Sequence, residues 1–258
     1  MGSISRMAAI ATNTLREAIR NRLLYVLLFF AVSLMCAGIF LSALAYVEGE
    51  RVLQNVGLGA TRIFSVVIAI FVGVNLIHRD VERRTVYTIL SKPLTRTEFL
   101  LGKFAGLVLT IWLQLTIMVV VFVAVSLLAG APLDAGHAAA FILIGAELVL
   151  IVAVATFFSA FTSPMLASFF SAGIWGIGHL TRDLRDIGAS SQSEAVQSAT
   201  VWLHRVLPDL ESFNLTIEAV HGLPISAADV GLALVYAAGY ATLVLFAATA
   251  VFSRRDFR

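Results

Sequence analysis

The chain has 258 residues, of which 59% are hydrophobic and 13% charged, with a formal net charge of +2 and a mean hydropathy of +0.93. A soluble domain of this length could not hide that much apolar surface, so the composition specifies a polytopic membrane protein and disfavours a soluble globular enzyme. The single cysteine, Cys36, excludes an internal disulfide and a cysteine-based metal cluster.

In chain order, the first predicted element is an amphipathic helix. Ile4, Met7, Ala8, Ala11, Leu15, Ala18 and Ile19 recur at helical spacing, and Arg6, Asn13, Arg16, Glu17 and Arg20 fill the opposite face. A basic amphipathic helix over 4–21, placed ahead of a span, is expected to lie in the membrane interface. The apolar run Leu23–Val47 counts 25 residues. It is longer than the core of a secretion signal and is read as a retained first span.

Five more spans are predicted at Gly57–Ile77, Leu100–Leu128, Ala138–Phe161, Pro164–Leu180 and Ala227–Phe252. Arg62 is expected near the outer end of the second, from where its side chain can snorkel to water. Thr162-Ser163-Pro164 offers a capping hydroxyl followed by proline in the first turn, which restarts a helix after a tight turn. Without linkers or low-complexity tracts, residues 1–258 form one all-α domain with six transmembrane helices.

The basic residues orient the bundle. Thirteen of the eighteen Lys and Arg fall in the N-terminal helix, the 79–103 stretch and the C-terminal tail, whereas ten of the sixteen carboxylates fall on the other side. Both termini and the 79–103 loop are therefore expected in the cytoplasm and the 181–226 segment outside.

The stretch RDVERRTVYTILSKPLTRTEFLLGK, residues 79–103, alone carries six Lys and Arg between two apolar segments. Arg79–Leu90 lacks Gly and Pro and predicts a helix. Pro93 breaks it and pushes Lys92 out of helical geometry. Thr95 and Glu98 then have capping-box spacing, starting a second helix at Arg96 that continues into the third span. Two readings are open: a solvated loop whose charges only fix topology, or a shaped element that meets a soluble partner.

Glu82-Arg83-Arg84-Thr85, Ile89-Leu90-Ser91-Lys92-Pro93, Arg96 and Leu101-Gly102-Lys103 resemble the signature loop of ABC-2 type permeases, the membrane subunits of ABC exporters, including those of copper-enzyme maturation. Arg84 departs from the glycine many members carry before the threonine. The likeness extends to the N-terminal helix, which matches an interfacial elbow helix, and to the number of spans. It implies a cytoplasmic coupling helix at 79–99, with Glu82, Arg83, Thr85, Ser91, Pro93, Arg96 and Lys103 as ATPase-coupling residues. It also implies a separate ABC ATPase subunit, a second permease copy as homodimer or heterodimer, a bacterial inner-membrane location and an outer gate formed by 181–226. Gly102-Lys103 precedes Phe104 and lacks the upstream glycine of a phosphate loop, so ATP and Mg are expected on the partner and no catalytic site in this chain.

Glu147 is the only carboxylate well inside a span. It is read either as a pathway residue or as a neutral or partnered group at a helix interface, and no basic partner is evident within the spans. The five histidines are dispersed, with no His-x-x-x-His or Cys-x-x-Cys pair, so no metal site is expected. Gly173, Gly176 and Gly178, beside Trp175, suggest close helix packing.

Val196, Ala199, Leu203, Val206 and Leu207 form one helical face with Trp202 beside it, as in a membrane-surface helix over the outer exit. Nothing points to nucleic acid. Two functions follow: an ATP-driven export permease, or a mechanotransmitter that passes ATPase motion to an external protein without moving a substrate. An intramembrane enzyme would need convergent reactive groups, and only Glu147 is available.

Overall fold

The computed structural model describes residues 3–45, 48–82, 95–191 and 193–254, and every regular element among them is helical. In chain order these are α1 (Ser3–Ile19), α2 (Arg22–Leu44), α3 (Gly49–Glu82), α4 (Arg96–Leu128), α5 (Ala135–Ser159), α6 (Pro164–His179), α7 (Thr181–Ser190) and α8 (Glu194–Val206). A 3-10 turn (Glu211–Phe213), α9 (Thr216–His221) and α10 (Ala227–Arg254) complete the chain.

Local chemistry sets the boundaries. The Asn21 side chain accepts from the Leu23 amide and starts α2. At the start of α4 the Thr95 hydroxyl accepts from the Glu98 amide at 3.2 Å, and the Thr95 amide donates to Glu98 Oε2 at 3.0 Å, the reciprocal box expected from the spacing. Asp134 caps α5 through the His137 amide. Pro164 opens α6, as expected, but Ser163 at the N-cap makes no side-chain bond. Gly222 adopts φ 62° and ends α9, a left-handed cap that suits glycine.

Five helices, α2, α3, α4, α5 and α10, are long and apolar enough to cross a membrane. The expected fifth span is a helix, but α6 has only 16 residues. Its length is therefore about 24 Å against about 30 Å of hydrocarbon. The expected six spans thus resolve into five full-length helices and one short one. α3 begins eight residues before the predicted span and runs to Glu82, giving 34 residues, or about 51 Å, so it projects well beyond an apolar layer.

α5 is the inner helix. It packs against α3, α4, α6, α9 and α10, and Leu143, Ile144, Leu148, Leu150, Ile151 and Val152 are all buried. By contrast α2 exposes Phe29, Phe30 and Phe40, and α10 exposes Leu232, Val235, Leu243 and Phe246. A helix that is apolar all round is either enclosed by protein or faces hydrocarbon, and both cases occur here.

α1 lies on α4 at one end of the bundle, with Ala11, Thr14 and Ala18 buried. The approach is to backbone distance. A Cβ at Gly106 would sit 2.6 Å from the Ala11 carbonyl and 2.6 Å from Thr14 Cβ, and one at Gly102 would sit 2.9 Å from Ile10 Cβ. The glycines of α6 behave differently from expectation. Gly178 is closely covered by Leu210, but among the described residues nothing lies within 4 Å of a Cβ placed at Gly173 or Gly176.

Gly106→Ala should lift α1 from α4 and destabilise the protein by about 1–3 kcal/mol, as overpacking does. Gly59, with open space around its Cβ position, should accept alanine without loss. Thermal unfolding in detergent, together with the protease sensitivity of α1, checks both.

Candidate functional site

Two places gather charged groups. The first is the end of the bundle where α1, α4 and α10 meet. Arg6 Nη2 lies 2.7 Å from Glu98 Oε1, and Lys103 Nζ lies 3.4 Å from Glu17 Oε2. The two ion pairs tie α1 to α4, and their α1 members, Arg6 and Glu17, stand before and after Ile10, Ala11 and Thr14, which meet Gly102 and Gly106. Arg96 Nη1 donates to the Ser253 carbonyl at 3.2 Å, joining the start of α4 to the end of α10. Glu98 sits in the first turn of α4, ahead of the apolar stretch that begins at Leu100. Hydrogen bonds from the Ser3 hydroxyl and the Thr95 amide, with the Arg6 guanidinium beside it, hold its carboxyl down at about 2.

Of the residues assigned to coupling, Arg96 and Lys103 are therefore placed. Arg96 reaches α10, and Lys103 is only 2% exposed, covered by α1. Glu82 closes α3. Its side chain, together with Arg83, Thr85, Ser91 and Pro93, lies outside the described residues.

The second place is inside the bundle. Arg62 on α3 was expected to snorkel outward, yet it is 7% exposed and turned inward. Its Nε lies 3.0 Å from Glu147 Oε2, and its Nη2 donates to the Leu210 carbonyl at 3.4 Å. Trp175 Nε1 donates to Glu147 Oε1 at 2.8 Å, and His179 Nε2 lies 3.5 Å from the same oxygen. The Glu147 side chain is fully buried. Glu147 thus has the basic partner that the sequence did not reveal. The physical reason is depth: Arg62 stands thirteen residues into α3, about 20 Å along the axis, too far for its side chain to reach water at that end. An ion pair with further hydrogen bonds is the arrangement that tolerates such burial.

The partners Arg62, Trp175 and His179 were all missed as a group. The signal was a match of depth, because Glu147 stands twelve residues into α5, about 18 Å from the same end of the bundle. The cluster joins α3, α5 and α6 to the segment after α8. With both carboxylate oxygens engaged and the Glu147 side chain fully buried, the cluster holds these helices together. Among the described residues, no group of three or more His, Cys, Asp or Glu is placed to hold a metal ion.

A helical bundle with five membrane-length helices, an inner helix carrying a paired charge and a surface helix clamped on its side is a multi-pass membrane protein. The ABC-2 family transporter protein family matches residues 8–257, and the chain belongs to that family. No curated protein matches it.

Arg62→Ala or Glu147→Leu alone should cost about 3–5 kcal/mol, because each leaves an uncompensated buried charge. The double substitution Arg62→Met with Glu147→Leu should cost clearly less than the sum of the two singles. A double-mutant cycle of thermal stability in detergent reads the difference. The Glu98 carboxylate should support α1 docking fully above pH 4.5 and lose that support as pH falls towards 2, because its folded-state pKa is depressed. Protease protection of α1 across that range checks the direction.

Proposed function

We propose that the chain is the membrane-spanning subunit of an ATP-driven exporter, without a catalytic site of its own and driven by a separate ABC ATPase subunit that binds ATP and Mg. In this reading α1 and the 79–99 segment form the surface the ATPase pushes on. Both termini face the cytoplasm, and two permease subunits assemble in a bacterial inner membrane. The observation that carries it is the clamp of α1 on α4. The 83–94 segment lies between α3, which is long enough to project from the apolar layer, and α4, whose first turns are fixed to α1 and α10. A push delivered to the first turns of α4 reaches that span together with α1 and the end of α10.

Lys103 has a role in this scheme that acts through α1, since it is covered by that helix and paired with Glu17. Arg96 likewise connects the start of α4 with the last turn of α10. The α7–α9 region forms the outer end. The membership of the ABC-2 family supports the permease reading.

Replacing residues 82–96 with a neutral flexible linker should leave membrane insertion intact and abolish co-purification of the ATPase. Retention of the ATPase with full stimulated turnover would rule the coupling role out. A stable external protein captured on 181–226, with no molecule moved by the reconstituted complex, would support the mechanotransmitter instead.

A further inference from the structure

The segment between α8 and α9, residues 206–213, is seated on the bundle by contacts from three helices. The Leu210 amide donates to the Gly178 carbonyl of α6 at 3.0 Å. The Tyr240 hydroxyl of α10 donates to the Val206 carbonyl at 3.0 Å, and the Asp209 amide donates to the Tyr236 oxygen at 3.0 Å. Leu210 is fully buried and Phe213 is 1% exposed. Leu210 rests directly on Gly178, where a Cβ would lie 2.7 Å from Leu210 Cγ and 3.0 Å from the Pro208 carbonyl.

Beyond this seat the packing changes. α7 and α8 pack mainly on each other, and α8 leaves Val201, Trp202 and Val206 exposed. The pair is a small body attached to the bundle through the α6–α7 junction on one side and the 206–213 seat on the other. At that seat one bond comes from the charged cluster: Arg62 donates to the Leu210 carbonyl while it pairs with Glu147. The planar fork of a guanidinium can serve two acceptors at once, and the carboxylate fixes where it points.

We propose that Arg62 is a latch. Held by Glu147, it keeps Leu210 on Gly178, and the α7–α8 pair lifts from the bundle only when the Arg62–Leu210 contact opens. Arg62 and Glu147 are positioning residues for the outer segment and do not bind the transported molecule. Trp175, which holds the other Glu147 oxygen, carries the same constraint into α6, the helix on which Leu210 rests. The latch deepens the export reading by giving the outer end its control. It depends on that reading only for its coupling to ATP turnover.

The test uses the full chain in membrane vesicles with Cys36→Ser and two introduced cysteines, Thr181→Cys and Asp209→Cys. The side-chain oxygens at these positions lie 3.4 Å apart across the α6–α7 junction and the seat. Copper-phenanthroline oxidation should cross-link them readily. Arg62→Met should raise the open-to-closed ratio of the seat about tenfold, the loss expected for one charge-assisted hydrogen bond, and so slow the cross-link. Arg62→Lys should slow it too, because lysine keeps the charge on Glu147 but lacks the fork, so a role in charge balance alone would leave its rate unchanged. Gly178→Ala should slow it through Leu210, without touching the charges. Wild-type rates in Arg62→Lys would overturn the latch, including when Arg62→Met fails to accumulate.

In complex with the ATPase, the oxidised pair should stop permease-stimulated turnover, and reductant should restore it. Unchanged turnover in the fully cross-linked protein would overturn release as a step of the cycle. Absence of stimulation before cross-linking would fault the permease–ATPase reading instead, while the cross-linking rates still decide the latch.

Discussion

The arrangement of the bundle depends on the buried pair of Arg62 and Glu147. α5 runs through the middle and packs against five helices, and the Glu147 side chain at its centre is fully buried, away from water. Such a group must be neutral or partnered, since a bare charge in that setting is costly. Here α3 supplies a guanidinium at matching depth, and Trp175 of α6 supplies a hydrogen bond to the second oxygen. These directional contacts fix the register of three helices that are otherwise joined by apolar packing. Apolar side chains lose little if a helix slides or turns slightly, whereas an ion pair loses much of its energy over an ångström or two. The pair therefore gives an oily bundle a defined geometry.

The opposite end is held by a different device. α1 meets α4 at backbone distance over Gly102 and Gly106, and the Arg6–Glu98 and Glu17–Lys103 pairs hold α1 there from residues before and after the contact on α1. Close backbone approach and flanking charge pairs make the two helices one stiff unit. The Arg96 bond to the Ser253 carbonyl adds the end of α10 to it. In the core, α3, α5 and α6 are tied together by the Arg62–Glu147 pair and the Trp175 hydrogen bond. The 206–213 segment is in contact with that same pair through Leu210.

Much of the fold was legible because its signals are local. The Thr95–Glu98 box formed as the spacing required, since a cap involves residues three apart and no distant partner. The amphipathic α1 and the long apolar helices followed from periodicity and hydropathy. The errors arose where an element's end or neighbour was decided elsewhere. The second span was begun at Gly57, but α3 begins at Gly49, and those eight residues turned a buried arginine into an apparent surface one. Polar residues at the start of α3, such as Arg51 and Gln54, mask the helix from a hydropathy reading, although Gln54 is satisfied by the Pro132 carbonyl at 2.6 Å. The α6 glycines were read as a packing face, yet only Gly178 has a close neighbour, and that neighbour comes from residue 210.

The sequence by itself determined that the chain is helical, that it belongs in a membrane, that Thr95 and Glu98 cap a helix and which family its central loop resembles. These properties follow from composition, short-range spacing and the cost of placing backbone and charge in hydrocarbon. Only the tertiary structure decided that Glu147 is paired, that Arg62 points inward, that Lys103 lies beneath α1 and that Leu210 seats the 206–213 segment on α6. Those contacts join residues that stand 85, 86 and 148 positions apart in the chain. Their chemistry is visible only when helix ends and packing bring them to the same depth, because an ion pair is defined by separation in space and leaves no periodic trace in the sequence.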